Sequence, residues 1–247
     1  MSRVTDFRTA APVAVGSGSV SAGVIGALAG AGACLAASPY LARLTLSVPD
    51  RGEPRWWRGR PASGPRLACS ALTATALGVL AGAAAGWSAL LPAFVVLAMT
   101  TAPLVVIDYE HHRLPDRLVR TAAAGGAVLL TLAALVRHDW HSLLRSGESA
   151  AAVFAVLLLL AFASPRSFGF GDVKLGAVLG LYLGWFGWAF VYYGIFAGFL
   201  LGALVSLALL ATRRASLKTA IAFGPMLVLG ALVVLALPST ASLGVAS

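Results

Sequence analysis

The chain has 247 residues, 59% hydrophobic and only 11% charged, where a soluble domain is nearer a quarter charged. Its apolar residues come in long runs, and neither Leu67–Ile107 nor Leu181–Ala211 holds a charge. A span needs roughly 20 apolar residues, so these runs exclude a small water-soluble domain and imply an all-α, polytopic bundle of transmembrane helices. The formal charge of +9 would point to nucleic acid in a soluble protein. No aromatic-plus-basic module accompanies it, and nucleic-acid binding is set aside. Two cysteines, Cys34 and Cys69, supply neither a disulfide framework nor a four-ligand zinc site. The polar first ten residues and the long Gly/Ala-rich run after them do not read as a cleavable signal peptide.

About eight spans are expected, at 13–37, 67–86, 88–108, 118–136, 149–164, 173–186, 188–211 and 220–238. The fifth and sixth are short. The sixth and seventh are divided at Gly184-Trp185-Phe186-Gly187-Trp188, which reads as an interfacial turn. Between the first two lies a basic loop, 38–66, rich in Pro, Gly and Arg. It is too short and polar for its own core, with Trp56 and Trp57 suited to lipid headgroups. Small residues run through most spans and permit close helix packing. Alternate connections carry fourteen of the 18 Lys and Arg, and Arg3, Arg8, Arg137 and Arg145 fall on the other face. The positive-inside rule puts the basic loops in the cytoplasm and both termini outside. Residues 1–87 form an N-terminal membrane region, and 88–247 a second one.

Asp6, Asp50, Glu53, Asp139 and Glu148 read as ordinary loop charges. Asp108, Glu110 and Asp116 share the third-to-fourth connection, and Asp172 lies in the fifth-to-sixth. Asp108 ends the run Leu104-Val105-Val106-Ile107. An ionised group at the edge of hydrocarbon is a functional candidate, against the plainer reading of a snorkelling helix-end charge. Asp172 follows Gly169-Phe170-Gly171. A helix N-cap would explain it, but the two glycines also allow close approach of another chain. Two carboxylates from separate helices on one side suit water activation and would share a proton. Asp172, at a positive helix end, is expected to be the ionised base and Asp108 the acid.

Two other readings compete. Asp108, His111 and His112 have the i, i+3, i+4 spacing of ligands on one helical face. Leu114-Pro115 follows at once and disfavours helix there, so no metal is expected. A transporter could use Asp108 and Asp172 as a cation or proton path, but transport sites sit near the midplane, and the opposite face has no matching carboxylate inside a span.

Asp108-Tyr-Glu-His-His-Arg-Leu114-Pro115-Asp116 resembles the first signature of the type IV prepilin peptidases, the bacterial GxGD membrane aspartic proteases. Gly169-Phe-Gly171-Asp172-Val-Lys174-Leu175 resembles their second, and Phe223-Gly224-Pro225 a further family element. The resemblance covers roughly 88–238. It implies catalytic aspartates at Asp108 and Asp172, with Asp116, Gly169, Gly171, Lys174, Leu114 and Pro115 supporting them. Glu110, Phe223, Gly224 and Pro225 become candidate substrate contacts, with Glu110 and Asp116 together holding a basic leader. The implied substrate is a prepilin or pseudopilin with a short basic leader and an apolar helix, cut at the cytoplasmic face of a bacterial cytoplasmic membrane. Signal-peptide-peptidase and presenilin relatives pair Tyr-Asp with GxGD and carry Pro-Ala-Leu, and this chain has Asp108-Tyr109 and Phe223-Gly224-Pro225 instead. Longer bacterial members have paired CxxC motifs where 38–66 lies, and this loop has no cysteine. That departure argues against N-methyltransferase activity, and no cofactor is expected.

Overall fold

The computed structural model describes residues 17–47, 56–111, 114–163, 169–212 and 222–237. Among them are eight α-helices: α1 (Ser17–Ser47), α2 (Gly64–Ala85), α3 (Leu91–His111), α4 (Asp116–Arg137), α5 (Trp140–Ala163), α6 (Phe170–Phe186), α7 (Trp188–Ala211) and α8 (Gly224–Ala236). A 3-10 turn, Trp56–Arg58, precedes α2. Six helices, α1 to α5 and α7, are long and apolar enough to cross a membrane. The chain is a multi-pass membrane protein.

The expected eight spans become six plus two shorter apolar helices. With 17 and 13 residues rising about 1.5 Å each, α6 and α8 fall short of a hydrocarbon core about 30 Å thick. Their surroundings explain why this is tolerated. Leu175, Leu179, Tyr182 and Leu183 of α6, and Leu227, Val228 and Leu232 of α8, are fully buried. Protein, rather than lipid, covers most of both helices.

Two helix ends differ from the sequence reading. α1 continues through Pro39 to Ser47, well past residue 37. The 3-10 turn folds back on this extension: Arg60 N–H donates to the Arg43 carbonyl at 3.2 Å, and the Tyr40 hydroxyl to the Trp57 carbonyl at 2.8 Å. α5 begins at Trp140, so its polar first turns are helical too. Asp139 serves as its N-cap, accepting the Ser142 N–H at 3.0 Å. Arg145 of α5 donates to the carbonyls of Gly184 and Trp185 at 2.7 and 2.6 Å. These are end carbonyls of α6 that the helix itself cannot satisfy. The break between α6 and α7 falls at Gly187, whose φ of 137° favours glycine.

The helices run alternately up and down. The start of α1 meets the end of α2, where Trp87 N–H donates to the Ala22 carbonyl at 3.0 Å. The end of α1 meets the start of α2, and Arg145 joins the start of α5 to the end of α6. Consequently the ends of α1, α3, α5 and α7 and the starts of α2, α4, α6 and α8 share one end of the bundle.

Glycines at four-residue spacing form the seams. Gly26 and Gly30 of α1 face Gly78 and Gly82 of α2, where an added Cβ on Gly30 would run into the Gly78 carbonyl and one on Gly82 into the Gly26 carbonyl. On α6, Gly176 faces Leu157, and Gly180 and Gly184 face Ser149 of α5. Gly198 of α7 meets Gly230 of α8 backbone to backbone. In lipid, association rests on such close packing. Gly82→Leu is therefore expected to destabilise the protein by about 1–3 kcal/mol or more, because the opposing atoms are main chain and cannot rotate away. Gly32→Leu, on the same helix pair but with nothing within 4 Å of its Cβ position, is the control. Thermal unfolding of both variants in detergent checks the difference.

Candidate active site

Asp108 sits in the last turn of α3 and is only 5% exposed. Leu114 and Pro115 then lead into α4. The proline ring fixes φ, and Pro115, extended at φ −68° and ψ 123°, forms the N-cap. Its carbonyl accepts the Leu118 and Val119 N–H groups at 3.1 and 3.4 Å. Leu114 reaches across to two other helix starts. A Cβ on Gly171 would stand 2.8 Å from Leu114 Cβ, and one on Gly224 would stand 3.3 Å from Leu114 Cδ2. Glycine at both positions makes room for this wedge.

α6 begins at Phe170, with Gly169 as its extended N-cap. Asp172 is thus the third helical residue rather than the cap. The Gly169 carbonyl accepts the N–H groups of Asp172 and Val173 at 3.0 and 3.4 Å. The carboxyl turns back on the same residue, so that a Cβ on Gly169 would lie 3.2 Å from Asp172 Oδ2. This is the returning half of a capping box. The other oxygen, Oδ1, is buried without a hydrogen-bond partner among the described residues.

α8 brings the third element. Gly224 N–H, one of the amides a helix start leaves unused, donates to Asp108 Oδ2 at 3.2 Å in a buried bond. Pro225 occupies the first turn, where its missing N–H costs nothing. The Phe223 ring faces elsewhere, packing on Phe199 of α7 at 4.8 Å between centroids and over Gly202.

The acidic neighbours have partners. Lys174 Nζ donates to Asp116 Oδ1 at 2.7 Å and lies 4.7 Å from the centre of the Phe170 ring. This exposed pair ties the start of α4 to the start of α6. One guanidinium nitrogen of Arg66 reaches both oxygens of Glu110, at 2.7 and 2.9 Å. The expected acidic cluster of Glu110 and Asp116 is therefore two separate ion pairs, not a pair of open carboxylates. Arg66 was legible only as a loop charge. Nothing in its flanks signals a partner 44 residues away.

Electrostatics runs against the expectation of an ionised Asp172. Asp172 lies in none of the six spans. Burial, and then the charge of Asp108, push its carboxyl up to about 7, with a hydrogen bond from the Gly169 backbone working the other way. Desolvation outweighs the favourable helix end. Two carboxyls that feel each other resist ionising together. The arrangement is two neighbouring carboxyls, each with a main-chain donor, which is competent for acid–base chemistry. For a metal, α3 stays helical through His111, yet Asp108 is buried and His111 exposed. His112 lies outside the described residues, and among those described no three His, Cys, Asp or Glu gather as ligands.

The structure thus brings together Asp108, Asp172, Leu114, Gly169, Gly171 and Gly224, with Pro115 behind them and Asp116–Lys174 at the edge. It does not bring in the Glu110 carboxylate or the Phe223 ring. Sequence comparison bears on the same residues. A family model described as the type IV leader peptidase family matches residues 95–207, a stretch that includes Asp108, Asp116 and Asp172. Over 130 residues the chain is 31% identical to the prepilin leader peptidase/N-methyltransferase of Legionella pneumophila, a match covering 53% of this chain and 44% of that protein. No solved structure matches the chain. From α3 into α7, over residues 95–207, this chain is similar to the type IV leader peptidase family, and it spans less than half the length of the curated relative it matches.

Proposed function

We propose that the chain is a membrane-embedded aspartic endopeptidase. It removes the short basic leader of prepilin-like proteins at the cytoplasmic face of a bacterial cytoplasmic membrane, with 88–247 as its catalytic region. One observation carries the reading: Asp108 and Asp172, from two separate motifs, meet where α3 and α6 end and begin, and the charge of Asp108 is felt at Asp172. Similarity to the type IV leader peptidase family supports the reaction class, and the basic loops at this end of the bundle support its cytoplasmic placement.

In this mechanism Asp108 takes a proton from a water molecule as the water oxygen attacks the scissile carbonyl carbon. Asp172 gives its proton to the carbonyl oxygen. The resulting diol collapses, the C–N bond breaks, and the departing amine takes the proton held by Asp108. A diol hydroxyl returns a proton to Asp172. Gly224 N–H keeps Asp108 oriented through the cycle. Leu114, Gly171 and Gly224 set the spacing of the three helix ends. Asp116–Lys174 steadies α4 against α6 without touching the reacting atoms. The activity ends at cleavage, because 38–66 lacks the cysteines of the methylating members.

Asp108→Asn and Asp172→Asn should each lower cleavage of a co-expressed pilin-like protein by about a hundredfold or more while the protein still inserts and folds. Substantial cleavage by either variant would sink the dyad. Asp116→Asn should keep much of the activity.

The pH dependence has a definite sign. The folded Asp172 carboxyl titrates at about 7, above its ordinary 3.8. Its contribution to stability is therefore complete in acid and is lost as pH rises through about 7. Cleavage should decline over the same interval. The melting temperature of wild type relative to Asp172→Asn should fall between about pH 5 and about pH 8. A difference independent of pH would contradict the assignment.

Mass spectrometry of the cleaved substrate should find an unmethylated amino terminus.

A further inference from the structure

We propose that Arg66, which lies outside the family match, is a positioning residue for this reaction: it locks the turn carrying Asp108 to the α1–α2 pair. The inference rests on the peptidase reading of the site. Arg66 is the third residue of α2. Its guanidinium forks between two helices. Nη1 donates to Thr45 Oγ1 of α1 at 2.8 Å, and Nη2 donates to both oxygens of Glu110 at 2.7 and 2.9 Å. Thr45 is itself fixed, since its hydroxyl donates to the Ala42 carbonyl at 2.7 Å. The end of α1 is braced in turn by the 3-10 turn through Arg60–Arg43 and Trp57–Tyr40.

Glu110 stands two residues beyond Asp108 in the last turn of α3. The carbonyls of that turn have no donors within the helix, so it is the part of α3 most ready to fray. The Arg66–Glu110 pair clamps it to α2. Asp108 is thereby held between Gly224 N–H on one flank and a braced turn on the other. The Arg66 and Glu110 side chains are 22% and 34% exposed. A pair this open adds little to global stability, so its effect falls on the geometry of Asp108. A lysine at 66 keeps the charge but cannot fork between Thr45 and Glu110.

The test uses the full chain purified in detergent, with a pilin-like substrate carrying a basic leader. Arg66→Ala should lower kcat by about tenfold to a hundredfold with KM within about twofold and an unchanged melting temperature. Arg66→Lys should recover only part. Glu110→Gln should show the same kcat loss, and the double variant no further loss, as expected for two residues acting as a unit. An unchanged kcat in Arg66→Ala overturns the proposal. So does a loss carried by KM, which would make Glu110 a leader contact, and so do additive losses. Hydrogen–deuterium exchange at residues 104–111 should be faster in Arg66→Ala. Unchanged protection there overturns the proposal without reference to any substrate, so a wild type that cleaves nothing counts against the peptidase reading alone. Should Arg66→Ala not fold, Arg66→Lys and Glu110→Gln carry both measurements.

Discussion

Hydrocarbon gives two helices no hydrophobic reason to leave lipid for each other, so this bundle depends on how closely its backbones approach. Glycine sets that distance. Gly176, Gly180 and Gly184 seat α6 on α5, and Gly230 seats α8 on α7. These two helices are the ones too short to count as spans, and they are also the ones that deliver Asp172 and the Gly224 amide. An extra side chain on either seam would move a helix start, and with it one half of the site.

The site itself is a compromise between burial and charge. Asp108 is almost wholly enclosed yet has a main-chain donor. Asp172 is less enclosed, but its Oδ1 has no donor among the described residues. Burial and the charge of Asp108 raise the Asp172 carboxyl against the helix dipole. A partial charge at a helix end contributes about a kilocalorie per mole, whereas burying an unpaired oxygen costs several times that.

Most of the architecture was legible in the sequence because hydropathy locates helices in lipid well. The turn at Gly184–Trp188 and the grouping of Asp108 with Asp172 came from local pattern and loop charge, whereas the supporting places of Lys174 and Asp116 came from the family resemblance, which did not pair them. The misreadings have one physical origin. Helices do not stop where hydrophobicity stops: α1 runs on past Pro39, and α5 starts nine polar-rich residues early, with Thr45 bonded to the α1 backbone and Asp139 capping α5. The same limit hid Arg66–Glu110 and the glycine seams. Spacing shows which glycines share a face of one helix, but not which helix will lie against that face. The raised carboxyl of Asp172 depended on burial, which no local motif reports.

The bond from Gly224 N–H to Asp108 has an evolutionary corollary. A donor on the main chain is present whatever side chain the codon specifies, and only proline deletes it. Drift at position 224 thus cannot strip Asp108 of its partner. It acts through volume, since a Cβ there would stand 3.0 Å from Asp108 Oδ2. Descendants of this sequence can reshape the room around the carboxylate while its polar contact is inherited unchanged.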